Sequence, residues 1–175
     1  MTTERFGLIK FSGKEQTVVG DDIRVGQKAP DFFIQKTDWS VSKGLKETRR
    51  KVRIIASVPS LDTSTCDRET RRFNEEASKL SKDIVIVVVS MDLPAAQKRW
   101  CGAAGVDQVM TVSDVVKADF GKKYATLMKE VRLLRRAVFI VDKQGIVTYV
   151  AYMPANNEEP NYLEVLTAAK KALEK

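Results

Sequence analysis

The chain carries two cysteines and no histidine. Cys66 ends the run Val58-Pro59-Ser60-Leu61-Asp62-Thr63-Ser64-Thr65-Cys66. Upstream, residues 51–58 are short, rich in β-branched side chains and cut off by Pro59, which predicts a central strand. Downstream, Phe73, Ala77 and Leu80 recur at i, i+4, i+7, which predicts a helix over 63–81 with Cys66 in its first turn. Unpaired backbone N–H groups and the positive end of the helix dipole favour an anion there, so the position suits a nucleophilic thiolate. The competing reading is a cysteine buried as a small hydrophobe. The polar flanks, Ser60 to Thr65 before it and Asp67 to Thr70 after it, argue against a buried core position.

The remaining composition narrows the chemistry. Without histidine, histidine-dependent catalysis and most zinc sites are excluded, and two cysteines alone cannot supply four zinc ligands. No metal and no cofactor is expected. Cys66 and Cys101 are too far apart for a CxxC pair. In a reducing compartment they are either two structural thiols or one pair that cycles between thiol and disulfide. Ser90-Met91-Asp92-Leu93-Pro94 reads as a capped helix start and Gly105 as its stop, which places Cys101 late in a short helix. The residues alone leave its role open.

The elements that must position these thiols follow from periodicity and punctuation. An N-terminal hairpin is predicted from Phe6 to Phe11 and Gln16 to Gly20, turning at Ser12-Gly13-Lys14. Strands follow at 32–36 and 40–43. Strands then alternate with helices: strand 51–58, helix 63–81, strand 84–90, helix 93–104, strand 108–112 and a helical stretch near 114–125. Strands 136–142 and 146–152 flank the turn Asp142-Lys143-Gln144-Gly145, and Pro160 opens a last helix over 161–174. This order predicts one α/β domain over residues 1–175, a mixed sheet covered on both faces with an extra N-terminal hairpin.

With 43% hydrophobic and 30% charged residues, the composition is that of a globular protein. No apolar run approaches the roughly 18 residues of a membrane span, and Met1-Thr2-Thr3-Glu4-Arg5 lacks the apolar stretch of a signal peptide. A cytoplasmic protein is expected, with no membrane partner. The net charge of +7 raises nucleic-acid binding as a possibility, best supported by Arg49-Arg50-Lys51-Val52-Arg53 and Arg132-Leu133-Leu134-Arg135-Arg136. Both runs overlap predicted strands and no nucleic-acid motif accompanies them, so solvated surface charge is the expectation.

PxxxTxxC on a strand-to-helix turn resembles the peroxiredoxins. The likeness is closer still to their bacterial thiol peroxidase branch, carried by Ser57 to Cys66, by Thr70-Arg71-Arg72-Phe73-Asn74-Glu75-Glu76-Ala77, by Asp92 to Ala103 and by Leu133 to Asp142. The resemblance implies a thioredoxin-like fold and a thiol-dependent peroxidase acting on hydrogen peroxide and alkyl hydroperoxides. It implies that Cys66 is the peroxidatic cysteine, Pro59 the residue that shields it and Thr63 the hydroxyl that orients the peroxide. It further implies Arg136 as the active-site guanidinium, Cys101 as the resolving cysteine in an intramolecular disulfide, thioredoxin as reductant and a homodimer. Ser64-Thr65 stand where the family often has Pro or Gly and an apolar residue, and Arg135 stands where a small residue is common. Successive strand residues face opposite sides, so only one of the two arginines can point at Cys66, and Arg136 is expected from its place before Ala137-Val138.

Why such a site needs more than a thiol is a matter of magnitudes. Lowering a thiol's pKa from about 8.5 to about 6 raises the thiolate fraction at pH 7 roughly thirtyfold, yet costs roughly tenfold in nucleophilicity. The balance must come from groups that stabilise charge moving onto the peroxide oxygens: a hydroxyl such as that of Thr63, backbone N–H groups and the guanidinium. Thr63 has an alternative role as helix N-cap, Arg136 as a surface or ion-pair arginine and Pro59 as a strand terminator. A dithiol oxidoreductase or redox sensor without peroxidase turnover is the alternative function, and a basic binding module the third. Trp39, Trp100 and Phe33 are the aromatics that could serve a dimer interface, or else fill the core.

Overall fold

Burial along the middle of the chain alternates as a sheet covered on both faces requires. The computed structural model describes residues 1–175. Val52, Ile54, Ala56 and Val58 pack on one side of strand β5 (Val52–Ser57), while Ile55 packs on the other. The same parity runs through β6 (Ile84–Ser90) and β10 (Ala137–Val141). The large sheet contains, in spatial order, β11 (Val147–Tyr152), β10, β5, β6, β7 (Met110–Ser113), β3 (Phe33–Lys36) and β4 (Val41–Lys43). β5, β6 and β7 run parallel, and β10, β11, β3 and β4 join antiparallel.

Helix α2 (Ser64–Ala77) covers one face through Cys66 and Phe73, and α5 (Tyr162–Leu173) covers it through Val165, Ala169 and Ala172. Each large side chain fully buried there is worth about 1.5–3 kcal/mol. The opposite face is filled by Phe32, Phe120 and Tyr124, the last two from and just beyond the short helix α4 (Asp119–Lys123). Helix α3 (Pro94–Ala104) ends at Gly105, whose φ of 67° supplies the left-handed cap that glycine adopts without strain.

Several expectations are corrected. The N-terminal hairpin forms as expected from β1 (Glu4–Phe11) and β2 (Lys14–Val19), but β2 also continues into an unforeseen second sheet with β8 (Leu127–Met128) and β9 (Leu133–Leu134). Two-residue strands paired with a segment more than a hundred positions away leave no local period to detect. The helical stretch near 114–125 reduces to α4, since Ala118 turns at φ 48° and the Asp114 carboxylate takes the Phe120 and Gly121 amides at 3.0 and 2.8 Å. A one-turn helix, α1 (Gly44–Glu47), follows β4 directly. Helix α2 stops at Ala77, short of the expected 81.

The two basic runs divide: Arg49, Arg50, Lys51 and Arg132 are exposed as solvated surface charge, and the rest turn inward. Arg53, Arg135 and Arg136 are all buried, and Arg53 spends its guanidinium on Thr48 Oγ1 and the carbonyls of Leu45 and Asp142. Trp39 is not core: it sits exposed in the β3–β4 turn. No helix is long and apolar enough to cross a membrane.

Candidate active site

Strand register brings the two ends of the site together. β10 runs antiparallel to β5 with Ala137 opposite Ser57, so the residue before β10 lies beside the residues that leave β5 for the Pro59 loop. That residue is Arg136. Its parity matches Val138 and Ile140, which face the α2 side with Cys66. Arg135 has the parity of Ala137 and Phe139 and faces the other way. There it stacks over the Tyr152 ring at 4.0 Å, donates to the Ala125 carbonyl and pairs with Asp22 at 2.8 Å. Of the two arginines, Arg136 is the one whose guanidinium reaches the Cys66 side of the sheet.

Arg136 Nη2 donates to Cys66 Sγ at 3.2 Å, with both residues buried. Nε and Nη2 also donate to the Asn156 carbonyl at 3.1 and 2.9 Å, and Nη1 to Glu69 Oε2. Glu69 is fully buried one turn along α2 from Cys66, and its Oε1 has no partner. Burial pushes its carboxyl up to about 7 against the pull of Arg136. Burial likewise opposes the charge on Arg136, but Glu69 and Cys66 outweigh it and hold the guanidinium above its ordinary value.

Cys66 occupies the first turn of α2, and the first bond of that helix runs from the Asp67 amide to the Thr63 carbonyl at 2.9 Å. The amides of the preceding turn residues, including that of Cys66, point along the free helix end. The polar flanks mislead about burial, because Asp62 and Ser64 face solvent while Cys66 turns inward onto the sheet. A cleft of about 450 Å³ lies over this turn, lined by Pro59, Thr63, Thr65, Asn156 and the tip of the N-terminal hairpin at Lys10 to Gly13.

Thr63 stands at the N-cap position without capping: its hydroxyl donates backward to the Ser60 carbonyl at 3.0 Å. With its proton committed, the oxygen is left as an acceptor at the cleft wall. Pro59 is buried and also lines the cleft. The Pro59 loop is fastened by Asp92, whose carboxylate accepts from Ser60 Oγ at 2.6 Å and the Leu61 amide at 2.9 Å. The Ser90 to Pro94 segment was expected to cap α3. Instead Leu93 takes the cap position with no side-chain bond, and Ser90 and Asp92 brace the Cys66 loop.

Cys101 is not beside Cys66. Both thiols are free, and Cys101 Sγ lies 3.5 Å from Thr111 Oγ1 in a separate hollow with Lys98 and Val109. The helices that carry them are nonetheless tied one residue from each thiol, since Trp100 Nε1 donates to Asp67 at 3.1 Å. Arg71 of α2 also donates to the Ala104 carbonyl at 3.2 Å.

Sequence reasoning missed Glu69, Asn156 and Asp92. Glu69 had a weak signal, because it follows Cys66 by three positions and so shares its helix face. Asn156 and Asp92 act from loops distant in sequence and had none. No group of histidine, cysteine, aspartate and glutamate side chains is placed to hold a metal ion.

Comparison with known proteins decides the family. The Redoxin family model matches residues 24–166. The chain belongs to the Redoxin family. Within that family it is 45% identical over 163 residues to the thiol peroxidase of Oceanobacillus iheyensis, covering 93% of this chain and 98% of the relative. It is 46% identical over 162 residues to that of Bacillus subtilis, covering 93% and 96%. Among solved structures, a peroxiredoxin-like protein from Aquifex aeolicus superposes with a TM-score of 0.85 at 38% identity, covering 95% of this chain and 98% of that one. A thiol peroxidase from Chromobacterium violaceum shares the fold at a TM-score of 0.81 and 19% identity, covering 95% and 97%. This redoxin therefore has the thioredoxin-like architecture of the peroxiredoxins and stands with their thiol peroxidases.

Proposed function

We propose that this redoxin is a thiol-dependent peroxidase that reduces hydrogen peroxide and alkyl hydroperoxides at Cys66. The observation that carries the reading is the buried contact of Arg136 Nη2 with Cys66 Sγ at 3.2 Å, on the first turn of a helix and beneath a cleft. A guanidinium and free helix amides stabilise the thiolate, and the same donors meet negative charge as it moves onto the peroxide.

In this scheme the Cys66 thiolate attacks the nearer peroxide oxygen, an S–O bond forms, the O–O bond breaks and ROH leaves once the alkoxide takes a proton. Cysteine is oxidised to sulfenic acid and the peroxide reduced. Thr63 Oγ1, having given its proton to Ser60, accepts from the peroxide O–H and so sets which oxygen faces Cys66. Pro59 closes the other side of the turn and limits water.

Cys101 then attacks the sulfenic sulfur, water leaves and an intramolecular disulfide forms. Its Cα must come within about 4.4–6.8 Å of that of Cys66. The first turn of α2 and the end of α3 must unwind for this, which breaks the Asp67–Trp100 and Arg71–Ala104 bonds. A thioredoxin-type dithiol restores the thiols. The enzyme acts in the cytoplasm as a homodimer.

The test is consumption of hydrogen peroxide and tert-butyl hydroperoxide by wild type and Cys66→Ser with thioredoxin and its reductase. Wild type turns over, and Cys66→Ser falls to the background rate. Full activity in Cys66→Ser refutes the assignment, and a wild-type rate no faster than a free thiol favours the redox-sensor reading.

A further inference from the structure

Glu69 is a buried acid in contact with the site that the reaction above does not use. It shares one face of α2 with Cys66 at i and i+3. Arg136 holds both, Nη1 on Glu69 Oε2 and Nη2 on Cys66 Sγ, while Glu69 Oε1 is left without a partner. The other ionisable groups facing it are Glu159, from the loop before α5, and Tyr162 of α5. Tyr162 donates its hydroxyl to Glu159 at 2.7 Å, and Arg68 pairs with Glu159 at 3.5 Å on the outer side. Arg136 is thus the cation in contact with Glu69, and it must serve two acids. A thiolate and a carboxylate together would leave a net negative charge in a site closed to water, which is costly.

We propose that Glu69 is the proton partner of Cys66: when the thiol ionises, the Glu69 carboxylate takes up a proton, and Arg136 is handed from carboxylate to thiolate. This rests on the peroxidase reading. Cys66–SH and Glu69–COO⁻ become Cys66–S⁻ and Glu69–COOH. The thiolate then forms the S–O bond as the O–O bond breaks. Neutral sulfenic acid no longer competes for Arg136, so Glu69 re-pairs with it and releases its proton. That proton balances the one taken by the departing alkoxide, and thiol plus ROOH gives sulfenic acid plus ROH with no net change. The raised Glu69 carboxyl, at about 7, is in the range such an exchange requires. Glu69 is on this account a positioning residue that acts through Arg136.

Two measurements test it. Infrared titration of the Glu69 carboxyl, assigned by its loss in Glu69→Gln, is compared in reduced wild type and Cys66→Ser. With no anion to compete for Arg136, Cys66→Ser titrates Glu69 lower by on the order of one pH unit. The pH profile of the peroxide reaction is then compared in wild type and Glu69→Gln. The acid limb moves to lower pH by a similar amount in Glu69→Gln, whereas a merely structural role lowers the rate at every pH and leaves the limb in place. An unmoved Glu69 titration in Cys66→Ser, or an unmoved limb in Glu69→Gln, overturns the proposal. A wild type without peroxidase activity would sink the peroxidase reading alone, because the infrared comparison does not depend on turnover.

Discussion

Replacing Arg136 by methionine separates its catalytic contribution from its structural one. The substitution removes the donor 3.2 Å from Cys66 Sγ, and loss of one such preorganised donor costs about 10²–10³ in rate. It also strands Glu69, which is fully buried and has no other cation in contact. Removing one partner of a buried pair costs about 3–5 kcal/mol where the other remains ionised. The sign of the pH dependence follows from Glu69. Its folded carboxyl lies at about 7 against 4.5 for the free group, so the folded state holds the extra proton between those values. Stability from this group is therefore full below about pH 4.5 and falls by about 3 kcal/mol as pH rises through 7. Without Arg136 the carboxyl moves higher still, and the loss extends further into the alkaline range. Urea unfolding at pH 5 and pH 8 should show Arg136→Met close to wild type at the lower pH and strongly destabilised at the higher. Adding Glu69→Gln should restore stability at pH 8 without restoring the peroxide rate in stopped-flow assays. A double variant that regains wild-type rate, or a single variant that loses less than about threefold, refutes the assignment of Arg136 to the reacting thiol.

Three further outcomes are expected. Thr63→Val slows peroxide reduction by about 10- to 100-fold and Thr63→Ser does not, while unfolding changes by no more than about 1 kcal/mol, because the hydroxyl makes one bond to Ser60 and no cap. Cys101→Ser consumes one equivalent of peroxide and then stops, and it lacks the tryptophan fluorescence change that wild type gives when disulfide formation pulls Trp100 from Asp67. Asp114, buried and raised from 3.8 to about 6, keeps a proton in the folded state across that window, so its stability contribution falls by roughly 3 kcal/mol as pH rises from about 4 to 6. Urea unfolding of Asp114→Asn should show a correspondingly flatter slope over that range.

How much of this was legible in the sequence depended on how local the determinant was. The turn carrying Cys66 was readable because a β-branched run, a proline and a helical period stand side by side. The choice of Arg136 over Arg135 followed from strand parity and the residues after it, and the structure places the two on opposite faces. The burial of Cys66 was not readable. It depends on the first turn of α2 packing onto β5 and β10, while composition shows only polar neighbours. Asp92 looked like a helix cap because its segment has the right residue types, but its carboxylate is taken by Ser60 and Leu61 of the Pro59 loop, 32 and 31 positions upstream. The β2–β8–β9 pairing and the Asn156 carbonyl under Arg136 are contacts across the fold that no window along the chain contains.

Peroxide is expected to oxidise the buried Cys66 thiol first. Reduced Cys101→Ser, treated with one equivalent of hydrogen peroxide in the presence of dimedone and mapped by peptide mass spectrometry, tests it most directly. One dimedone adduct per chain, on Cys66, is the expected result. Peroxide consumed with Cys66 left unmodified would contradict it.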